Sequence, residues 1–256
     1  MDDRALLKIG DRLRTELASS AVQLLSAEGP RPRPVGSGVI VRLEGHLYIL
    51  TAAHVVKDLE GAPIWIGPNA REYRKVAKLE CLLFEDPLDA AIFPLPSSFG
   101  RWDGAYGLPI HSTPASRPAE PVQEHFLLLG YPANRTNVYH PDGVTVTLKS
   151  VLSIELPETY AKFQLDRRLQ LALRRRQNWT TENGPRGAAS LAGASGSGVW
   201  CFDSNLSYPP RLAAIFTSVP KAPGGERPIM VGTRTEAHFE LLRRLSKWGG
   251  KEDGEK

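Results

Sequence analysis

Three residue types that together can cleave an ester or amide bond are spread along this chain. His54 stands in the run TAAHVV, Asp89 opens the run DAAIF, and Ser195 lies in the run GASGSGVW. A serine hydroxyl is a weak nucleophile at neutral pH unless an imidazole takes its proton, and a carboxylate must hold that imidazole in the right tautomer. The three residues therefore form a candidate catalytic triad.

Each of these residues also fits a structural role when it is taken singly. A histidine after a strand is often structural, an aspartate before a strand is often a turn residue or a cap, and a Gly/Ser tract is typical of a flexible linker. Acyl transfer, however, also needs backbone N–H groups aimed at the developing oxyanion, and glycine beside a serine permits the tight turn that presents them. Gly193, Ala194, Ser195 and Gly196 can supply such a turn.

Composition and spacing indicate the elements that must position these residues. The chain has 256 residues, 41% hydrophobic and 23% charged, with 23 Gly and 21 Pro. This high content of turn-forming glycine and proline favours an all-β domain. Apolar, β-branched runs recur about every ten residues from residue 20 onward, which predicts a sandwich or a pair of barrels. No long helix alternates with them, which argues against a doubly wound sheet.

Helical periodicity occurs at the two ends of the chain. The spacing of Leu6, Ile9, Leu13 and Leu17 predicts an amphipathic helix over residues 3–18. The run TEAHFELLRRLSKW predicts a C-terminal helix that packs Phe239, Leu242 and Leu245, followed by a polar tail. Residues 158–177 fit either a helix or a charged insertion, and the Pro-rich residues 94–121 fit a connection between two β halves.

Charge and cysteine content exclude several other classes of protein. The net charge is +4, and basic clusters such as Arg174–Arg176 are typical of a solvated surface. No aromatic residues alternate with these arginines, as they would in a surface that stacks on nucleic-acid bases. Cys81 and Cys201 each follow or precede apolar residues, which favours core positions over a disulfide framework and fits a reducing compartment. We find no secretory signal and no membrane-length apolar run, so we expect a cytoplasmic protein. Without a C-x-x-C or closely spaced histidines, we expect no metal and no cofactor.

The three motifs, in their order along the chain, resemble the His, Asp and Ser motifs of the trypsin-like serine peptidase family. Smaller marks extend the resemblance over residues 20–235: GSGVIV before the histidine, the GYP turn at 130–132, and LAAIFT after the serine. The resemblance implies an all-β fold of two six-stranded-type β-barrels with a catalytic cleft between them, plus short terminal helices. It divides the chain into an N-terminal helix (1–19), a peptidase domain (20–235; first barrel 20–100, linker 101–121, second barrel 122–235) and a C-terminal helix and tail (236–256).

The resemblance also implies a role for each residue of the triad. Ser195 would be the nucleophile, His54 the general base and Asp89 the residue that orients it, with the backbone N–H groups of Gly193 and Ser195 as the oxyanion hole. Ser197 is the rival nucleophile and Asp86 the rival carboxylate; the family pattern favours Ser195 and Asp89. An α/β-hydrolase elbow is excluded, since G-x-S-x-G requires glycine at position 197 and the triad order is reversed.

At the positions that govern substrate specificity and activation, this sequence differs from the pattern of the secreted members of the family. Ala194 replaces the aspartate that pairs with a new N-terminal amine in those enzymes, so that activation switch is missing, and Gly198 replaces a common proline. By the same resemblance, Ala189 would lie at the bottom of the pocket that holds the substrate side chain before the cut bond. Alanine there favours a small to medium apolar side chain. The substrate backbone would add as a strand along Ile215, Phe216 and Thr217.

These observations predict a serine endopeptidase that acts through an acyl-enzyme intermediate. The alternative is a catalytically silent peptide-binding or scaffold domain on the same fold, which would use the cleft without chemistry. We expect a protein or peptide substrate, no membrane, and a protein regulator bound through the N-terminal helix or the basic segment 167–176; a nucleic-acid partner is not favoured.

Overall fold

Short strands separated by turns make up most of the chain that a computed structural model describes. The structure describes residues 3–26, 33–43, 45–59, 64–69, 72–76, 83–85, 88–95, 108–109, 124–132, 138–140, 143–145, 148–174, 179–181, 184–186, 191–221, 224 and 228–249. The helices in these ranges are α1 (Asp3–Leu17), α2 (Ala53–Lys57) and α3 (Thr235–Gly249), with 3₁₀ turns at Ala18–Ser20 and Pro157–Thr159. The strands are β1 (Ala21–Ser26), β2 (Arg33–Leu43), β3 (His46–Thr51), β4 (Ile64–Asn69), β5 (Glu72–Val76), β6 (Leu83–Glu85), β7 (Ala90–Pro94), β8 (Leu108–Pro109), β9 (Glu124–Gly130), β10 (Val138–His140), β11 (Gly143–Thr145), β12 (Lys149–Ser153), β13 (Gln170–Arg174), β14 (Trp179–Thr181), β15 (Gly184–Arg186), β16 (Gly198–Asp203), β17 (Arg211–Ser218) and β18 (Ile229–Arg234).

Two mainly antiparallel sheets contain most of these strands, the first sheet β1 to β8 and the second sheet strands from β9 onward. The first runs β5-β4-β1-β2-β3-β7-β6, with the short β8 added parallel to β2. The second runs β13-β18-β17-β16-β9-β12-β14-β15, and β10 and β11 form a separate hairpin. The predicted all-β fold with two barrel-type halves is confirmed.

The three largest clusters of buried apolar side chains in the described residues lie one inside each half and one between the halves. Strand β9 shows how the sequence produces this, because its residues are buried on both faces. Leu127 and Leu129 lie in the cluster between the halves with Leu50, whereas Phe126 and Leu128 lie inside the second half. The alternation of side chains along a strand thus lets one apolar run serve two cores.

The terminal helices belong to this packing. Leu13 and Leu17 of α1 are 0% and 3% exposed and lie in the cluster between the halves, with Leu242 of α3. Both predicted helices are present, and Phe239 packs against the same cluster; the side chain of Leu245 lies outside the described residues. None of the helices in the described ranges has the length and apolarity needed to span a bilayer.

The segment that the sequence left open, residues 158–177, is not a helix where the structure describes it. A 3₁₀ turn at Pro157–Thr159 and further turns lead into β13, which pairs with β18. Tyr160 anchors the turns through hydrogen bonds to the Glu155 carboxylate (2.6 Å) and from the Ala172 N–H (3.1 Å). Most of the Pro-rich stretch 94–121 lies outside the described residues, as does Cys81, whereas Cys201 is buried and free.

Candidate active site

The topology of the first sheet brings His54 and Asp89 together. His54 lies in α2, which begins two residues after β3 ends, and Asp89 directly precedes β7. Strands β3 and β7 are antiparallel, with Thr51 opposite Ala91, so the end of one strand and the start of the other lie at the same edge of the sheet. Residues 35 positions apart in the chain therefore become neighbours.

The Asp89 carboxylate holds His54 at two points. One carboxylate oxygen accepts the backbone N–H of His54 at 2.9 Å, and the other lies 2.8 Å from its ring Nδ1. The backbone of Asp89 is left-handed, with a φ of 53°, a conformation that aspartate and asparagine tolerate better than most residues. Its carbonyl accepts the N–H of Ala53 at 3.2 Å, so the turn before β7 is fixed against the start of α2.

This contact determines both the tautomer and the basicity of His54. A carboxylate beside Nδ1 keeps the ring proton on that nitrogen and leaves Nε2 with a free lone pair. The hydrogen bond to Asp89 raises the pKa of His54 above 6.5, partial burial opposes the shift, and the charges of Asp89 and Asp58 add to it. The His54 side chain is 45% exposed, so the ring is accessible to a substrate.

Ser195 lies on a tight turn just before β16. Gly193 and Gly196 have φ values of 74° and 87°, which L-residues with a side chain rarely adopt. The turn is closed by hydrogen bonds from the Ala194 N–H to the Leu191 carbonyl (3.0 Å) and from the Gly196 N–H to the Phe216 carbonyl (2.8 Å). Within the described residues the N–H groups of Gly193 and Ser195 donate to no acceptor, which leaves both available to an oxyanion.

The Ser195 hydroxyl donates to the backbone carbonyl of Thr217 at 3.2 Å rather than to His54. Thr217 is the extra residue of a bulge in β17, between the pairs Phe216–Gly232 and Ser218–Val231. Bulges of this kind turn a backbone group out of the ladder. Within the described residues no hydrogen bond joins this hydroxyl to His54, so it has to turn from Thr217 before it can pass its proton to the ring.

A pocket of about 280 Å³ opens beside Ser195. Its lining combines the apolar residues Leu191, Ala192, Phe216 and Val219 with the hydroxyl-bearing residues Ser195, Thr217 and Ser218. The carbonyl and N–H of Phe216 already bond within the nucleophile turn, to Gly196 and Ser197 respectively, and Ile215 is fully buried in the core. Of the three predicted substrate-pairing residues, only Thr217 has its backbone carbonyl at the Ser195 hydroxyl.

The remaining candidate residues are either buried away from the pocket or outside the described residues. Ser197 is 0% exposed, and its hydroxyl points away from the pocket into the interior against Gly130. Asp86 and Ala189 lie outside the described residues.

Comparison with known families identifies the chain. A family model described as "Trypsin-like peptidase domain" matches residues 36–206, more than half of the sequence. The chain belongs to this family. The matched span includes His54, Asp89 and Ser195, so all three motifs of this trypsin-like peptidase domain lie inside it.

Solved structures show the same fold. One of them, an inactivated protease paralogue of the scabies mite named S-I1, matches 90% of this chain and 95% of its own, at 18% sequence identity and a TM-score of 0.53. At that identity the likeness concerns the fold alone. No curated protein sequence matches the chain.

Sequence reasoning missed the residues that connect the nucleophile turn of this trypsin-like domain to the rest of the molecule. The Ser37 N–H donates to the Ser195 carbonyl at 2.7 Å, and the Ser37 carbonyl accepts the Thr51 hydroxyl at 2.7 Å. On the far side, the ring Nε2 of His238 in α3 lies 3.1 Å from the Thr51 carbonyl. The one available signal was the glycine pair around Ser37 in GSGVIV, which indicates a close approach of backbones.

Proposed function

We propose that this trypsin-like domain is a serine endopeptidase that cleaves peptide bonds through an acyl-enzyme intermediate. The observation that carries the proposal is the double contact between Asp89 and His54. A pair held at 2.8 Å through Nδ1 presents an imidazole lone pair on the other side of the ring, and such an orientation is needed by a general base. The free N–H groups of Gly193 and Ser195 and the pocket beside Ser195 support the same reaction.

The reaction proceeds in two halves. The Ser195 Oγ attacks the carbonyl carbon of the scissile bond while His54 Nε2 takes its proton, and the N–H groups of Gly193 and Ser195 stabilise the oxyanion. His54 then gives this proton to the leaving amine, the C–N bond breaks and the acyl-enzyme remains. A water molecule, deprotonated by His54, attacks the ester, and the proton returns to Ser195 as the acid product leaves.

The substrate we propose is a peptide with a small to medium apolar side chain before the cut bond. Leu191, Phe216 and Val219 form part of the pocket wall, and none of its described lining residues carries a carboxylate to compensate the desolvation of an Arg or Lys side chain. The substrate backbone adds as a strand beside Thr217 and Ser218, beyond the last pair that β17 makes with β16, Gly198–Ile215.

Labelling with a fluorophosphonate probe tests this function directly. We expect wild-type protein to be labelled at Ser195 and Ser195→Ala to lose the label, with turnover of a peptide substrate falling by roughly 10⁶-fold. Ser197→Ala is the matched control, because it removes a serine hydroxyl two positions away that is buried. Equal labelling or equal turnover in wild type and Ser195→Ala would contradict the proposal.

A second candidate function is peptide binding without catalysis. It is favoured by the hydrogen bond of the Ser195 hydroxyl, which is donated to the Thr217 carbonyl and not to His54. The scabies mite neighbour with the same fold is described as an inactivated protease paralogue. In this case wild type and Ser195→Ala would bind an apolar peptide with the same affinity, and long incubation would yield no product from either protein.

A further inference from the structure

The buried segment Gly36–Gly38 of β2 crosses behind the nucleophile turn. Ser37 is 0% exposed, and neither Gly36 nor Gly38 has room for a side chain. A Cβ on Gly36 would lie 2.7 Å from the Val55 side chain and 3.0 Å from the Ser195 carbonyl oxygen. The segment is therefore wedged between the residue that follows His54 and the nucleophile itself.

Ser37 is hydrogen bonded to both halves of the molecule. Its N–H donates to the Ser195 carbonyl at 2.7 Å, and its hydroxyl accepts the N–H of Tyr131, the residue after β9, at 2.9 Å. The hydroxyl proton has two acceptors within reach, the carbonyls of Tyr131 (3.4 Å) and Gly193 (3.5 Å). One buried residue thus contacts both ends of the Gly193–Ser195 turn, Ser195 through its backbone N–H and Gly193 through its side chain, and the side chain also contacts the residue after β9.

Thr51 extends these contacts to the base. Its hydroxyl donates to the Ser37 carbonyl at 2.7 Å, and it stands three residues before His54. Both residues that must exchange a proton during acylation are therefore linked to Ser37. Ser195 is linked by a direct backbone hydrogen bond, and His54 is linked through Thr51, three residues before it.

We propose that the Ser37 hydroxyl is a positioning group for acylation, which sets the distance and angle between the Ser195 turn and His54. The inference rests on the proposed endopeptidase function and concerns the same site. Ser37 touches neither substrate nor reacting atoms; it acts by fixing Gly193 and Tyr131 against the first sheet. A misplacement of about 1 Å at a reacting group can cost about 100-fold in rate.

The test compares Ser37→Ala with a matched loss of a buried hydroxyl elsewhere. Ser20 is also 0% exposed, and its hydroxyl donates to the Leu17 carbonyl at 2.7 Å, away from the site. We expect Ser37→Ala to lower kcat for a small activated ester, and the rate of fluorophosphonate labelling, by about 10- to 100-fold with KM within about threefold. Ser20→Ala keeps wild-type kcat at a similar loss of thermal stability.

A pH profile separates positioning from a general loosening of the fold. The His54–Asp89 contact does not involve Ser37, so the half-maximal pH of labelling should be the same in Ser37→Ala and wild type. If Ser37→Ala does not fold, Thr51→Val removes the hydroxyl that anchors the Ser37 carbonyl at nearly constant shape, and it should lower kcat by about 3- to 10-fold.

The outcomes distinguish this inference from the proposed function. Wild type labelled at Ser195 and Ser37→Ala or Thr51→Val labelled equally fast would overturn the positioning role alone. Equal losses in Ser37→Ala and Ser20→Ala would also overturn it. Absence of labelling in well-folded wild type would overturn the proposed function and this inference with it.

Discussion

Replacing Asp89 with asparagine changes one oxygen for an NH₂ group in the contact with His54. Asparagine tolerates the left-handed backbone at this position, so the turn should keep its shape. The amide oxygen is needed by the backbone N–H of His54, which lies 2.9 Å away, and the NH₂ group then faces Nδ1 at 2.8 Å. A donor at that place requires Nδ1 to accept, which moves the ring proton to Nε2.

The size of the effect follows from the tautomer. With its proton on Nε2, His54 has no lone pair for the Ser195 hydroxyl, and a wrong tautomer in such a triad costs about 10⁴-fold in kcat. That ratio corresponds to about 5.4 kcal/mol of activation free energy. KM should stay within about threefold, because Asp89 does not line the pocket. Steady-state hydrolysis of an apolar peptide substrate measures both quantities.

Asp58→Asn is the matched control for charge. The Asp58 charge also raises the pKa of His54, but the His54 ring bonds to Asp89 instead, and Asp58 is exposed. We expect less than about threefold change in kcat from Asp58→Asn. A kcat for Asp89→Asn within about tenfold of wild type, or equal losses in the two variants, would refute the tautomer argument.

Three further predictions concern pH, backbone geometry and thiol reactivity. Because the pKa of His54 is raised and only the neutral ring is a base, kcat/KM should fall as the pH drops through a midpoint above 6.5, which a pH–rate profile measures. Gly196→Ala should lower the free energy of unfolding in urea by at least about 2 kcal/mol, because φ is 87° and a Cβ would overlap the Ser37 carbonyl; Gly45→Ala, at a φ of 83° in open space, should cost only about 1 kcal/mol, and equal costs would contradict the overlap. Burial raises the pKa of Cys201 to about 12, so iodoacetamide at pH 8 should leave this thiol unmodified until the protein is unfolded, as peptide mapping by mass spectrometry would show.

Local sequence patterns marked the candidates that face one another across a single strand pair, and the family resemblance was needed to prefer Asp89 to Asp86. His54 and Asp89 each adjoin an apolar run, and β3 and β7 place those runs side by side. Ser195 was marked by its glycines, whose positive φ values the structure contains. The strands were predictable for the same reason, since burial on a sheet imposes an apolar pattern on consecutive residues.

Contacts between distant segments left no such pattern. Ser37 meets Tyr131 across 94 positions, and His238 meets Thr51 across 187. A buried serine or threonine looks the same in the sequence whether it caps a turn or joins two sheets. The segment around Leu171 was ambiguous because its apolar residues suit a helix as well as a strand; its pairing with β18 decides the matter, and that pairing depends on tertiary structure.

The order in which the chain is synthesised gives the hydrogen bond between Ser37 and Ser195 another consequence. A nascent chain on the ribosome that has completed the first sheet holds His54 and Asp89 but has not yet made the serine. The turn at Gly193–Ser195 needs both Ser37 and the carbonyl of Phe216, and Phe216 emerges later still. Domains fold largely as units during synthesis, so catalytic competence should arise only when the last strands have joined. The proposed endopeptidase activity would then be absent from every partly made chain.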